Sequence, residues 1–212
     1  TFDDAGRLWT QTARMYPLDP VKDIRWGELM RLMNNPAEQD KNPEFKRIKD
    51  LYQGVTKGTD DVLILSDLGN DKPVKVTKFA TGLALPQSIL PYKNGTYVAH
   101  GSELIFLDDT NNDGIADKRT PVLRGFGFTD THTMAHSLVR APGGWINFSQ
   151  GALNKGKVTA VKSGNNTRID YSKIARFSLD GNNIELVTSG LQNIWGFQLR
   201  ANGQWYLTEA ND

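Results

Sequence analysis

One three-part phrase recurs along this chain in a fixed order, and few folds can accommodate it. The first part is a tight glycine hairpin, seen as DDAGRLW (3–9), KNGTYV (93–98), PGGWIN (142–147) and ANGQWYL (201–207). Each copy sets glycine where a positive φ costs nothing, then supplies aromatic or branched residues suited to a strand. The second part is DVLILSD (61–67), ELIFLDD (103–109) and KIARFSLD (173–180). The third is VTKFATGL (76–83), TPVLRGF (120–126) and IELVTSGL (184–191). The aspartate near the end of the second part moves from Asp67 to Asp108, 41 residues on. Units of about 40 to 60 residues holding four short strands predict an all-β chain built of β-propeller blades. A plain sandwich also alternates strands with turns, but it does not demand the same phrase in the same order.

Four first hairpins and three returning pairs make about three and a half four-stranded blades, whereas propellers usually close with about four to eight. The expectation is therefore one incomplete propeller domain over residues 1–212, part of a longer six- or seven-bladed chain. Between residues 14 and 54 the rhythm breaks into a charged, helical pattern, IRWGELMRLM and PEFKRIKDLY. Phe45, Ile48, Leu51 and Tyr52 fall on one helical face after Pro43, which predicts a helical insertion between strands.

Composition excludes several classes. Lys and Arg number 25 against 24 Asp and Glu, a net charge of +1 that argues against a nucleic-acid partner. No apolar run reaches the ~20 residues a membrane-spanning helix needs. The absence of cysteine removes thiol catalysis, disulfide scaffolds and Cys-zinc sites from this stretch.

Asp109, Asn111, Asp113, Gly114, Ile115 and Asp117 set out the pattern D-x-N-x-D-G-x-x-D. Side-chain oxygens of Asp109, Asn111, Asp113 and Asp117, with the Ile115 carbonyl, can wrap a Ca2+ ion, and Gly114 permits the turn. The acidic ligand that closes a helical EF-hand is replaced by Thr120, so a structural calcium between two strands is expected. The preceding repeat carries a decayed copy, Asp67 to Lys75, without the oxygen at its third position, the turn glycine or the last acid. The same loop also reads as an ordinary polar turn.

The three histidines are His100, His132 and His136. Aligning PQSI (86–89), AHSL (135–138) and IWGF (194–197) places Gln87, His136 and Trp195 at one position of successive units. Equivalent positions at the start of a propeller's inner strand ring its channel, so these residues are expected to line a pocket. Asp130 stands two residues before His132 and can orient it as a general base near neutral pH. His100 is expected to reach the same face, and Arg140 to contribute to ligand binding. A structural role for each histidine, or a zinc half-site from His132 and His136, is open on the sequence alone.

GRLW, DDVLILSDLGNDK, FATGLALPQSI, LIFLDDTNNDGIADKR, VLRGFGFTDTHTMAHSL, APGGW and LQNIWGF appear in that order. Together they resemble the N-terminal propeller of the membrane-bound dehydrogenase family, relatives of the glucose/sorbosone dehydrogenase propellers. The resemblance covers about three quarters of the chain, departing at the long segment 14–54 and at Thr133, where the family has a second histidine after DTH. It implies an extracytoplasmic (periplasmic or secreted) sugar dehydrogenase using pyrroloquinoline quinone, with an electron-accepting cytochrome domain or protein as partner. His132 or His136 would be the base, and Arg124 or Arg140 would meet the quinone carboxylates. Two other readings fit the same residues: a polysaccharide lyase or hydrolase on a propeller, and a non-catalytic carbohydrate-binding propeller.

Overall fold

The computed structural model describes residues 1–16, 24–69 and 71–210. Residues 17–23 of the expected helical insertion and Asn70 of the loop after Asp67 lie outside the described residues, as do residues 211–212. Among the described residues the fold is mainly β, in four antiparallel sheets, the second of which takes in a hairpin from within the third. The first joins β1 (Leu8–Gln11), β2 (Asp60–Ser66) and β3 (Lys75–Leu83). A meander follows of β4 (Pro86–Tyr92), β5 (Gly95–His100), β6 (Glu103–Asp108) and β7 (Lys118–Arg124). The next sheet is β8 (His136–Ala141), β9 (Trp145–Gln150), β12 (Lys173–Ser178) and β13 (Ile184–Ser189). The last is the pair β14 (Ile194–Leu199) and β15 (Trp205–Glu209).

The repeated glycine hairpins are the β4–β5, β8–β9 and β14–β15 turns, with Gly143, Gly144 and Gly203 all at positive φ. One hairpin has no counterpart in the repeat. Between β9 and β12 the chain makes β10 (Lys155–Ala160) and β11 (Asn166–Asp170), and β10 pairs with β7 of the preceding sheet. The second sheet therefore has six strands where the repeat predicts four.

Packing between sheets follows from strand alternation. Trp9, Val62, Ile64 and Phe79 of the first sheet bury against Ile89, Val98, Ile105 and Leu107 of the second. Leu104, Leu123 and Val158 of the second meet Leu138, Ile146, Phe148 and Phe177 of the third. Each such side chain contributes about 1.5–3 kcal/mol of apolar burial.

First strands of successive sheets lie side by side and run the same way. The Leu138 N–H donates to Ser88 Oγ at 3.0 Å, and Arg140 Nη2 donates to the Pro91 carbonyl at 2.6 Å, which fixes β8 along β4. Ser137 stands beside Gly196, and His136 at the start of β8 meets the Ile194 and Trp195 backbone at the start of β14, so β14 continues the series. The starts of β4, β8 and β14 thus share one end of the molecule.

The helical insertion packs on that same end. It contains α1 (Trp26–Met33), the short α2 (Pro36–Gln39) and α3 (Pro43–Tyr52). Asn42 caps α3 by accepting the Phe45 N–H at 3.0 Å, with Pro43 at the first helical position. Phe45, Ile48, Leu51 and Tyr52 are buried, as their spacing predicts, against Ala84, Leu85, Phe128 and Met134. Among the described residues no helix is long and apolar enough to cross a membrane.

Candidate functional site

The site gathers where β4, β8 and β14 begin. Register slips at all three starts, between Pro86 and Ser88, His136 and Val139, and Ile194 and Gly196. Bulges of this kind re-aim side chains, and they fall where the sequence alignment sets Gln87, His136 and Trp195. Gln87 Nε2 donates to the Thr131 carbonyl at 3.3 Å, tying β4 to the loop that carries His132. Trp195 is 53% exposed on the same end.

That loop winds through a one-turn 3-10 helix, Thr131–Thr133, capped by Asp130. Asp130 Oδ1 accepts from the His132 backbone N–H and faces ring Nδ1, each at 2.9 Å. A carboxylate can only accept, so Nδ1 carries the proton and Nε2 of the neutral ring is the free base. The His132 side chain is 51% exposed, and Tyr16 meets it edge-on with ring centroids 5.3 Å apart.

Buried amides hold the loop from below. Asn154 Nδ2 donates to the Asp130 carbonyl at 2.8 Å and to Thr133 Oγ1 at 2.9 Å. Its Oδ1 accepts from Thr129 Oγ1 at 2.9 Å and the Asp130 N–H at 3.1 Å. Gln150 in turn donates to the Asn154 carbonyl at 3.0 Å. These two amides carry no sequence motif; only the fold reveals that they set the Asp130 backbone.

The DUF7133 family model, described as a domain of unknown function, matches residues 1–212. The chain belongs to the DUF7133 family. No curated protein matches it.

In this DUF7133 chain the three histidines have three different situations. His136 donates Nδ1–H to the Met134 carbonyl at 2.7 Å, while its Nε2 is buried without a hydrogen-bond partner. Burial holds it below the ordinary histidine range, against the opposing pull of the backbone at Met134, Ile194 and Trp195. It lies under the site and does not present a nitrogen at its surface. His100 is 1% exposed, with Nδ1 on the Tyr52 carbonyl and Nε2 accepting the Ala84 N–H, both at 2.8 Å. Burial and the nearby Arg119 charge push it down to about 3. It braces the helical insertion against the β3–β4 link, and both its nitrogens are spent there.

The arginines expected to meet a quinone are engaged elsewhere. Arg124 Nε donates to the buried Glu103 at 2.7 Å. Arg140 lies four residues from His136 along β8, about 13 Å away, and its guanidinium covers the Tyr92 ring at 5.4 Å. It lines a groove of about 590 Å³ at the opposite end of β4, β8 and β14. Neither arginine fits the carboxylates of pyrroloquinoline quinone at the His132 site.

The D-x-N-x-D-G loop also lies at that opposite end, between β6 and β7. Asp109 accepts the Asp113 N–H at 3.1 Å and the Gly114 N–H at 2.8 Å, and Asp113 accepts the Ile115 N–H at 2.8 Å. Gly114 takes a φ of 88°, the turn its position demands. Asp117 receives the Thr110 hydroxyl at 2.9 Å. Among the described residues no three Asp, Glu or His side chains converge as a metal group.

Proposed function

We propose that this chain is part of a carbohydrate-active β-propeller in which His132, oriented by Asp130, is the general base. The observation that carries the reading is the 2.9 Å Asp130–His132 contact at the end of the molecule where β4, β8 and β14 begin, the end that also carries the exposed Trp195. Three parallel first strands in series, each beginning a sheet, support the blade architecture. A half-exposed indole supports stacking on a sugar ring, and a bulge aims it.

The chemistry favoured is proton abstraction followed by elimination. His132 Nε2 takes the C5 proton of a uronic acid residue, the electron pair forms the C4–C5 double bond, and the C4–O bond breaks. Tyr16, edge-on to His132, returns a proton to the leaving oxygen. No external oxidant is consumed, which suits a site whose two candidate quinone arginines are occupied. Sugar oxidation by a dehydrogenase-like enzyme, passing electrons to a cytochrome, is the second reading, supported by the ordered motifs of the family resemblance. Both act outside the cytoplasm in this reading. A structural calcium in the Asp109–Asp117 loop stiffens the far end, supported by the loop's donor pattern and its glycine turn.

The two chemistries separate in one assay. The complete protein is incubated with acidic polysaccharides and with neutral sugars plus an electron-accepting dye, with and without added quinone. Release of unsaturated oligosaccharide, lost in His132→Ala, is expected. Dye reduction without an unsaturated product would transfer the site to the oxidoreductase reading.

A further inference from the structure

The two segments that interrupt the repeat face one another. A cleft of about 410 Å³ opens between the helical insertion and the β10–β11 hairpin, a volume within the range of small-ligand sites. Lys49 from α3, Lys155 and Lys157 from β10, and Arg168 from β11 line it, and no aspartate or glutamate does. Lys49 is held by Asp40 at 2.9 Å and Arg168 by Asp170 at 2.5 Å, acids outside the lining. Among the described residues Lys155 and Lys157 have no carboxylate partner, and Lys155 rests on the Tyr171 ring at 4.3 Å. A chain with a net charge of only +1 therefore leaves positive charge uncompensated in one concave place.

The walls are fixed. A Cβ on Gly156 would stand 2.0 Å from the Gly125 carbonyl oxygen, so two backbones meet there with no room for side chains. Ser102, 7% exposed in the cleft wall, keeps its Oγ buried and without a hydrogen-bond partner. Two lining residues connect the cleft along the chain to the loop of the candidate base. Phe128 lines the cleft two residues before Asp130, and Lys155 directly follows Asn154, which clamps the Asp130 backbone.

We propose that this cleft is an anion subsite for an acidic oligosaccharide, holding the carboxylate or sulfate of one sugar while a neighbouring residue reaches His132. The inference rests on the carbohydrate reading above and names its substrate class. Lys155 and Lys157 supply the unpaired charge.

The test is calorimetric titration of the full chain with short oligomers of galacturonate, of sulfated galactose and of neutral glucose, at low and high salt. Acidic oligomers are expected to bind in a salt-sensitive way, and the preferred anion identifies carboxylate or sulfate. Lys155→Gln with Lys157→Gln is expected to weaken that binding about tenfold while neutral-sugar binding holds. Equal affinity for acidic and neutral oligomers, or an unchanged double variant, overturns the subsite and leaves the carbohydrate reading standing. Binding of none of the oligomers overturns both.

Discussion

Asp130 grips His132 twice through one oxygen: Oδ1 takes both the backbone N–H and the ring Nδ1–H of His132, each at 2.9 Å. The first contact fixes the chain and the second fixes the tautomer. Asp130→Asn keeps a carbonyl oxygen for the backbone N–H but removes the negative charge that faces the ring. Loss of His132 itself is expected to lower turnover about 10²- to 10⁴-fold, the usual contribution of a general base. Asp130→Asn should fall between that variant and the parent in kcat, with KM little changed. Steady-state kinetics on the product-forming substrate check both; equal kcat in parent and His132→Ala would remove the base from the mechanism.

The burial of His100 makes stability depend on pH in a stated direction. Its folded value near 3 lies far below the ordinary 6.5, so between those limits the unfolded chain binds a proton the folded chain refuses. Stability is full above the unfolded value and falls as pH drops toward the folded one, by about 1.4 kcal/mol per unit at most. His136 is shifted the same way and adds to the slope. Urea unfolding between pH 7 and pH ~4.5 isolates the histidines, because carboxylates titrate mainly below that window. His100→Gln is expected to flatten the curve; an unchanged slope would mean that His100 is not buried neutral.

Much of this was legible before the structure, for a physical reason. Glycine turns and strand alternation act over a few residues, so the repeated phrases marked β4–β5, β8–β9 and β14–β15 directly. The α3 face was equally local, set by Pro43 and the spacing of Phe45 to Tyr52. The β10–β11 hairpin was not read, although its Gly164-Asn165 turn is an ordinary signal, because its strands pair back onto β7, where no repeat points. The histidines divided on the same line. Asp130 and His132 are near neighbours, and their pairing was visible. His100 takes its role from Tyr52, 48 residues away. Asn154 and Gln150 acquire theirs only from loops that converge in space.

Gly101 tests how the helical insertion is docked. It sits at φ 61°, and a Cβ there would lie 2.0 Å from the Tyr52 ring. Gly101→Ala must therefore displace α3 or strain the β5–β6 turn. Expected is a loss of about 1–3 kcal/mol, the usual cost of overpacking, with new protease cleavage confined to residues 14–54. Cleavage spread evenly over the sheets would show instead that the insertion and the β-structure unfold together.

Calcium has a distinct signature. If the Asp109–Asp117 loop holds the ion, calcium at about 100 times its dissociation constant adds about 2.7 kcal/mol of stability. For a chain of this size the corresponding rise in Tm is about 5–10 °C. Asp113→Ala is expected to abolish that rise while leaving the chelator-treated Tm nearly unchanged. A Tm indifferent to calcium and chelator would mark the loop as a polar turn closed by its own N–H groups.

Glu103 is a buried charge at the end carrying the site. Its side chain is fully buried, and it meets Arg124 at 2.7 Å and Arg119 at 3.2 Å. Arg119 also donates to the Tyr52 carbonyl at 3.0 Å, the same oxygen that His100 holds at 2.8 Å. One helix-end carbonyl thus receives two donors, one of them balanced by Glu103. Glu103→Gln keeps the shape but leaves Arg119 without its counter-charge in a partly buried place. Removing one partner of such a pair costs about 3–5 kcal/mol, much more than removing both. Equilibrium unfolding of Glu103→Gln, Arg119→Met and the double variant is the appropriate cycle. The double variant is expected to be more stable than Glu103→Gln alone, because the orphaned charge leaves with its partner. Strict additivity would mean that Arg124 alone satisfies Glu103, and that Arg119 serves only the Tyr52 carbonyl.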